Sequence, residues 1–285
     1  MNTMAKNKRV RRKTIDYIFT VLCFISLLIG VIALSSIIIT LFVKGINAVN
    51  FRLFFENLPP LGQVGGLKNA ILGSLIITGV AIIFSAPIGI LIATYLTEFP
   101  SKGKFGAVIR FINDILLSAP SIIIGLFVYS VIVTVTGHFS AMAGMVALGL
   151  IAVPMIVRTS EDVMKVIPSN LREAAVALGV SRWKVTMFVI YRAAKSGLIT
   201  GVILALARIA GETAPLLFTV LNNQFPSSDI FKPMANLPVV MFQYALSPYK
   251  NSQELAWAAA LIITVTILTL NILTRLVFSR KRKIN

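Results

Sequence analysis

Long apolar runs dominate the chain, and polar residues collect in the short stretches between them. A run of about 18 or more apolar residues reads as a membrane-crossing helix, because about 20 residues at 1.5 Å each span a core of about 30 Å. Six such runs are predicted: about Tyr17 to Val43, Asn69 to Thr97, about Ile115 to Thr136, about Ala141 to Val157, Ser196 to Phe218, and about Leu255 to Phe278. The third is entered through the polar pair Asn113-Asp114. The first follows a basic stretch (Lys6, Lys8, Arg9, Arg11, Arg12, Lys13), as a cleaved leader would, yet it far exceeds the roughly 7–15 apolar residues of one. It is read as a retained helix. The predicted fold class is therefore all-α, a polytopic membrane protein with six transmembrane helices.

Composition narrows the function classes. Hydrophobic residues make up 57% and charged residues 13% of 285, against about 25% charged in soluble domains. The mean hydropathy is +0.88. A water-soluble enzyme and a disordered chain are both excluded. Cys23 and His138 are each the single residue of their type. An internal disulfide, a zinc site and Cys/His catalysis therefore have no raw material, and no metal is expected.

The net charge of +17 would suit nucleic-acid binding, but its placement says otherwise. With the N-terminus inside, segments 1–16, 98–114, 158–195 and 275–285 hold 21 of the 27 Lys and Arg residues. The outside segments 44–68, 137–140 and 219–254 hold five, and Arg208 lies within a span. Cytoplasmic loops carry this excess by the positive-inside rule, so both termini are expected in the cytoplasm. The outside loop 219–254 carries Pro226, Pro233, Pro238 and Pro248, which argues against one continuous helix there.

The longest inside segment, 158–195, has helix punctuation. Pro168 ends one helix, and Asn170 with Glu173 three residues on fits a capping box. Gly179 suits the left-handed position after a helix, and Ser181 can cap the next. Two short helices joined at a glycine turn are predicted at the membrane surface. Ala174, Ala175 and Ala177 leave room for close approach by another chain; equally, the segment fits a capped interfacial helix in which Glu173 acts locally.

Arg208 and Glu212 fall inside the apolar fifth run. A charge at a helix centre costs about 2.5–3.5 kcal/mol on insertion scales and marks a pathway or a partner by default. Their i,i+4 spacing predicts one shared helix face. Counted from Ser196, Arg208 lies roughly 18 Å along the helix, past the middle of the core. Guanidinium is a rigid fork that holds two oxyanion oxygens and stays charged. One reading puts Arg208 on an anion's path, with Glu212 orienting it and keeping the anion from being trapped, and Thr213 adding a hydroxyl donor. The other makes Arg208–Glu212 a structural ion pair. Asn113 and Asp114 either line an inner gate or cap the third helix. Gly211 and Pro215 bend the fifth helix or permit packing.

The run Glu173-Ala174-Ala175-x-x-x-Gly179, in an inside loop before the penultimate span, resembles the EAA loop of ATP-binding-cassette importer permeases. The family pattern often continues to Ile-x-Leu-Pro; here Val189-Ile190-Tyr191-Arg192 stands in that region without the proline. The stretches Arg110 to Ser121, Ala207 to Thr219 and Ala235-Asn-Leu-Pro-Val resemble more narrowly the PstA family, membrane subunits of bacterial phosphate importers. The resemblance implies a type I importer permease fold. Its layout would be a basic N-terminus 1–16, a first helix 17–43, an outside loop 44–68, a permease core 69–278 and a basic tail 279–285. It implies that Glu173, Ala174, Ala175 and Gly179 dock on an ATPase, and that Arg208, Glu212, Thr213, Asn113 and Asp114 line the path. The implied partners are a second permease (PstC-like), an ATPase dimer (PstB-like), a phosphate-binding protein outside (PstS-like) and membrane lipid, in a bacterial cytoplasmic membrane.

No Gly-x-x-x-x-Gly-Lys-Ser/Thr run occurs, so the chain is expected to bind no cofactor and to leave ATP to a partner. The rival readings are a permease for another oxyanion (sulfate, molybdate or phosphonate), a secondary transporter or channel, and an integral membrane enzyme. The last would want polar catalytic groups clustered near one interface, where only scattered singles are found.

Overall fold

The computed structural model describes residues 2–99 and 104–281, with side chains for 12–99 and 104–273. The predicted basic N-terminus 1–16 and tail 279–285 therefore lie largely outside the described side chains. All regular structure among the described residues is helical. In chain order the helices are α1 (Asn2–Ala48), α2 (Arg52–Phe55), α3 (Lys68–Glu98), α4 (Lys104–Ser118), α5 (Ser121–Thr136), α6 (Ala141–Lys165), α7 (Ser169–Ala177), α8 (Arg182–Ile209), α9 (Ala214–Thr219), α10 (Leu237–Ala245) and α11 (Lys250–Lys281). Five of them, α1, α3, α6, α8 and α11, are long and apolar enough to cross a membrane, and the pair α4–α5 supplies a sixth, broken span.

That break corrects the predicted straight span from Ile115 to Thr136. Ile115 to Ser118 close α4, and α5 departs at 105°. Pro120 is the cause. It cannot donate to the helix ladder and it disfavours helical backbone at Ala119. It sits extended, at φ −57° and ψ 133°, just before α5. One face of α4 is turned inward through Gly106 and Asn113. The other leaves Phe105, Phe111, Ile112 and Ile115 exposed.

The fourth and fifth spans also have different ends from those predicted. The fourth runs on past Val157 to Lys165, and the fifth begins at Arg182 and stops at Ile209. Continuing α8 would set the Pro215 ring against the carbonyl of Gly211, four residues back. The chain turns over 210–213 instead and restarts as α9, with Pro215 in its first turn, where a missing N–H costs nothing.

α6 is the hub, with α3, α4, α5, α8 and α9 packed against it. The central core joins Ile77, Leu148, Ile156, Ala205, Ile209 and Leu216. Lipid tails are as apolar as leucine, so helix pairing in a membrane depends on close approach at small residues. A methyl group on Gly201 would come within 2.5 Å of the Thr159 hydroxyl of α6. One on Gly125 would come within 2.7 Å of Pro215 Cα, which is how α9 lies on α5. By contrast α1 packs on α11 and leaves residues such as Phe24, Ile32 and Ile37 exposed. An apolar surface on all sides suits a helix whose solvent is lipid.

The proline-rich loop 219–254 is built around α10, capped by Asn236, whose side chain accepts the Val239 N–H at 3.1 Å. Asn69, at the start of α3, donates to the carbonyls of Asn223 and Gln224 and accepts from Leu58 N–H at 2.9 Å. Tyr244 is buried and donates to the Pro59 carbonyl. A second core, with Leu53, Leu67, Tyr244 and Ala258, holds this layer together.

Candidate functional site

Two regions carry the predicted functional residues other than Asn113 and Asp114, one at each end of α8. The first is the α7 hairpin. Gly179 lies at φ +78°, the left-handed region open to glycine. Its N–H reaches the Val176 carbonyl at 2.9 Å, and Val180 N–H reaches Ala175 at 3.3 Å. These are the two hydrogen bonds of a Schellman cap, so the predicted glycine turn is present. The caps before it differ from prediction. α7 begins at Ser169 behind Pro168, and neither Asn170 nor Ser181 makes the expected side-chain cap.

The hairpin has two faces. Glu173, Ala174 and Gly179 are exposed, together with Val176 and Leu178. Ala175, read with Ala174 and Ala177 as leaving room for another chain, faces inward instead. It is buried with Val185, Ile190, Met164 and Ala194 in a third core at this end of the spans. The next-door residue Arg172 also points back into the protein. Its Nη2 lies 2.8 Å from Glu98 Oε1 and its Nε about as near both carboxylate oxygens, at 3.1 and 3.0 Å. Its Nη1 and Nη2 also donate to the carbonyls of Ile167 and Met164 at 2.7 and 3.0 Å. The hydrogen bonds to Glu98 hold the guanidinium proton above its usual pKa. Nearby, buried Glu161 of α6 accepts from Arg110 of α4 at 3.0 Å and pairs with Lys165 at 2.8 Å. Arg110 also reaches the Leu96 carbonyl of α3.

Neither network is legible in the sequence, where Arg172 and Lys165 fall among the inside charges and Arg110 opens one of the stretches that resemble the PstA family. The available signal is a lone carboxylate, Glu98, at the end of the second apolar run, and the pair Glu161-Asp162 just past the fourth.

The second region is the far end of α8. Arg208 is the penultimate residue of the helix rather than a residue of its interior, and Glu212 lies beyond it. The predicted shared helix face is therefore corrected. Gly211 and Glu212 are held by tight turns, their N–H groups reaching the carbonyls of Arg208 and Ile209 at 3.4 and 3.2 Å. The pair still meets, with Arg208 Nε and Glu212 Oε1 4.0 Å apart. Glu212 is largely enclosed at 17% side-chain exposure, while Arg208 is 48% exposed. A guanidinium held this loosely keeps donors free for another group. Thr213 follows directly and leads into α9, its carbonyl accepting from Leu217 N–H at 3.0 Å.

Asn113 and Asp114 are not at the mouth of a straight span. They lie well inside α4, where neighbouring residues point about 100° apart. Asn113 is buried and Asp114 exposed. α4 packs on α6, as α8 does.

Comparison with known proteins places this architecture. Residues 85–283 match the model of the family described as binding-protein-dependent transport system inner membrane component. The phosphate transport system permease protein PstA of Haemophilus influenzae is 51% identical over 98% of this chain and the whole of the relative. That of Pasteurella multocida is 47% identical over 95% and 97%, and PstA 1 of Mycobacterium tuberculosis 31% over 96% and 92%. Among solved structures, a chain of a bacterial alginate ABC transporter superposes with a TM-score of 0.66 at 14% identity, covering 94% of this chain and 95% of that one. One of the inward-facing MetNI methionine transporter gives 0.61 at 21%, covering 77% and 96%. At such identities these structures show the fold alone, that of type I ABC importer permeases. The chain belongs to the family of binding-protein-dependent transport system inner membrane components and, within it, to the PstA group of phosphate transport system permeases.

Proposed function

We propose that this chain is one of two membrane-spanning subunits of an ATP-driven importer that carries inorganic phosphate inward across the bacterial cytoplasmic membrane. The observation that carries the reading is identity of 46–51% over nearly the full length to phosphate transport system permeases. In this reading a PstC-like permease covers the open flank of the bundle, a PstB-like ATPase dimer binds the exposed face of α7 through Glu173, Ala174 and the turn at Gly179, and a PstS-like protein delivers phosphate outside. ATP is used by the ATPase, and this chain catalyses no reaction of its own. The charge bias puts α7 and both termini in the cytoplasm.

Arg208 is the proposed phosphate contact on this chain. It stands at the end of α8 away from the docking hairpin and keeps part of its fork open, while Glu212 limits how tightly an anion is held. Thr213 offers a hydroxyl beside it. Asn113 and Asp114 are assigned to the cytoplasmic part of the path.

The test is labelled-phosphate uptake at low external concentration in a host lacking this chain and every other phosphate importer. Wild type is expected to restore uptake, an excess of sulfate to leave it unchanged, and Arg208→Ala at equal membrane level to abolish it. Unchanged uptake on deletion refutes the phosphate reading. Normal uptake by Arg208→Ala makes that residue structural.

A further inference from the structure

We infer that Arg172 and Glu98 are positioning residues of the transport cycle: together they form the joint through which the α7 hairpin moves α3 and, with it, the outer layer of the protein. The inference rests on the reading of α7 as the docking element. Docking residues receive a push from outside the chain, but something must pass it to the spans, and exposed residues such as Glu173 cannot.

Arg172 has the geometry for this. It sits on α7, one residue before Glu173, and faces the other way. Its five contacts within 3.1 Å reach Glu98, the last residue of α3, the carbonyl of Met164 in the last turn of α6 and that of Ile167 just past it. The carbonyls at a helix end have no partners within the helix, so the guanidinium ties α6 to α7 as it grips α3. The Glu98 side chain is only 8% exposed, which shields the pair from water and salt. A planar fork fixes direction as well as distance; a lysine would supply one mobile charge.

α3 is suited to carry the movement. It is one helix of 31 residues that continues through an interior proline, Pro87, roughly 46 Å long at 1.5 Å per residue. At its far end Asn69 makes two hydrogen bonds to loop 219–254 and accepts a third from Leu58 of the segment before α3. One turn on, Ser74 accepts the Leu237 N–H at the start of α10 at 2.8 Å. The backbone there is so close that a methyl on Gly73 would sit 1.9 Å from the Ala235 carbonyl oxygen. The hairpin below and the loop facing the incoming substrate thus hold the two ends of one helix.

The experiment uses the whole importer in proteoliposomes and reads phosphate taken up per ATP hydrolysed. A second readout is nucleotide-dependent labelling of a cysteine placed at exposed Leu75, near the outer end of α3, with Cys23 replaced. Arg172→Ala and Glu98→Ala are expected to lower uptake per ATP at least ten-fold and to remove the effect of nucleotide on labelling. Arg172→Lys is expected to fall between, and the exchanged pair Glu98→Arg/Arg172→Glu to recover part of the loss. Uptake per ATP and labelling unchanged in these variants overturn the joint. So do uptake and hydrolysis that fall in parallel through lost assembly, with a normal ratio in Arg172→Lys, since that marks a mere anchor. So does labelling at Leu75→Cys that ignores nucleotide in the wild type. If the wild type moves no phosphate while labelling still depends on nucleotide and on Arg172, the phosphate reading fails and the joint stands.

Discussion

Gly179 holds the α7 hairpin in a backbone conformation, φ +78°, that side chains with a Cβ adopt at a cost of about 1–2 kcal/mol. Nothing stands within 4 Å of where its methyl would go, so Gly179→Ala tests conformation without a clash. It is expected to reduce phosphate uptake several-fold at normal membrane level by loosening the Schellman cap; unchanged uptake would show that the turn tolerates rearrangement. Tyr244 offers a residue-scale test on the outer side. Burial pushes its hydroxyl pKa up to about 12, from about 10 in an unfolded chain. The neutral form is favoured in the folded protein, so this contribution is fully present below pH 10 and is lost as pH rises from about 10 through 12. Thermal unfolding in detergent should show a steeper loss of stability over that window for wild type than for Tyr244→Phe. Below it, the variant should be less stable by about 1 kcal/mol through loss of the hydrogen bond to Pro59.

Two breaks define the elements near the pathway, and each has a proline behind it. Pro120 separates α4 from α5, and Pro215 forces α8 to end beside Arg208. The pieces are then held by close packing, as where Gly125 meets Pro215. Gly125→Leu should push α9 off α5 and cost roughly 1–3 kcal/mol, visible as a lower unfolding temperature of the solubilised protein and a fall in uptake. An unchanged melting temperature would mean that α9 can move without loss. These breaks also explain what was hidden in the sequence. The apolar runs revealed the spans because lipid demands about 20 apolar residues whatever the packing. The same runs hid the ends of α8, since apolar Val185–Ile190 continues the helix toward the cytoplasm and the short apolar α9 looks like its continuation outward. The predicted second short helix is the first part of the long α8, whereas the helix α7 and its glycine turn were legible because local backbone chemistry writes them. Arg172–Glu98 was not, since its partners are 74 residues apart and meet only when α3 and α6 pack.

For the whole molecule, charge placement and hydropathy predict both the spans and their direction. That direction is testable with single cysteines in a Cys23-free chain. Ser228→Cys in the outer loop should react with a membrane-impermeant thiol reagent on intact spheroplasts, and Ser169→Cys at the start of α7 only after permeabilisation. The opposite pattern would invert the topology and remove the docking role from α7. The site residues depend on more than one chain. Arg208, Glu173 and Leu178 are exposed, and in the proposed reading substrate and ATPase cover them in the assembled importer. The most direct measurement is therefore made on that assembly, purified with this subunit and placed in liposomes. With ATP on the ATPase side and phosphate-binding protein on the other, phosphate is predicted to accumulate against its gradient, and to stop doing so when ATP is withheld or Arg208→Ala is substituted. Accumulation that ignores ATP, or none at all from an intact and ATP-hydrolysing complex, would contradict the account.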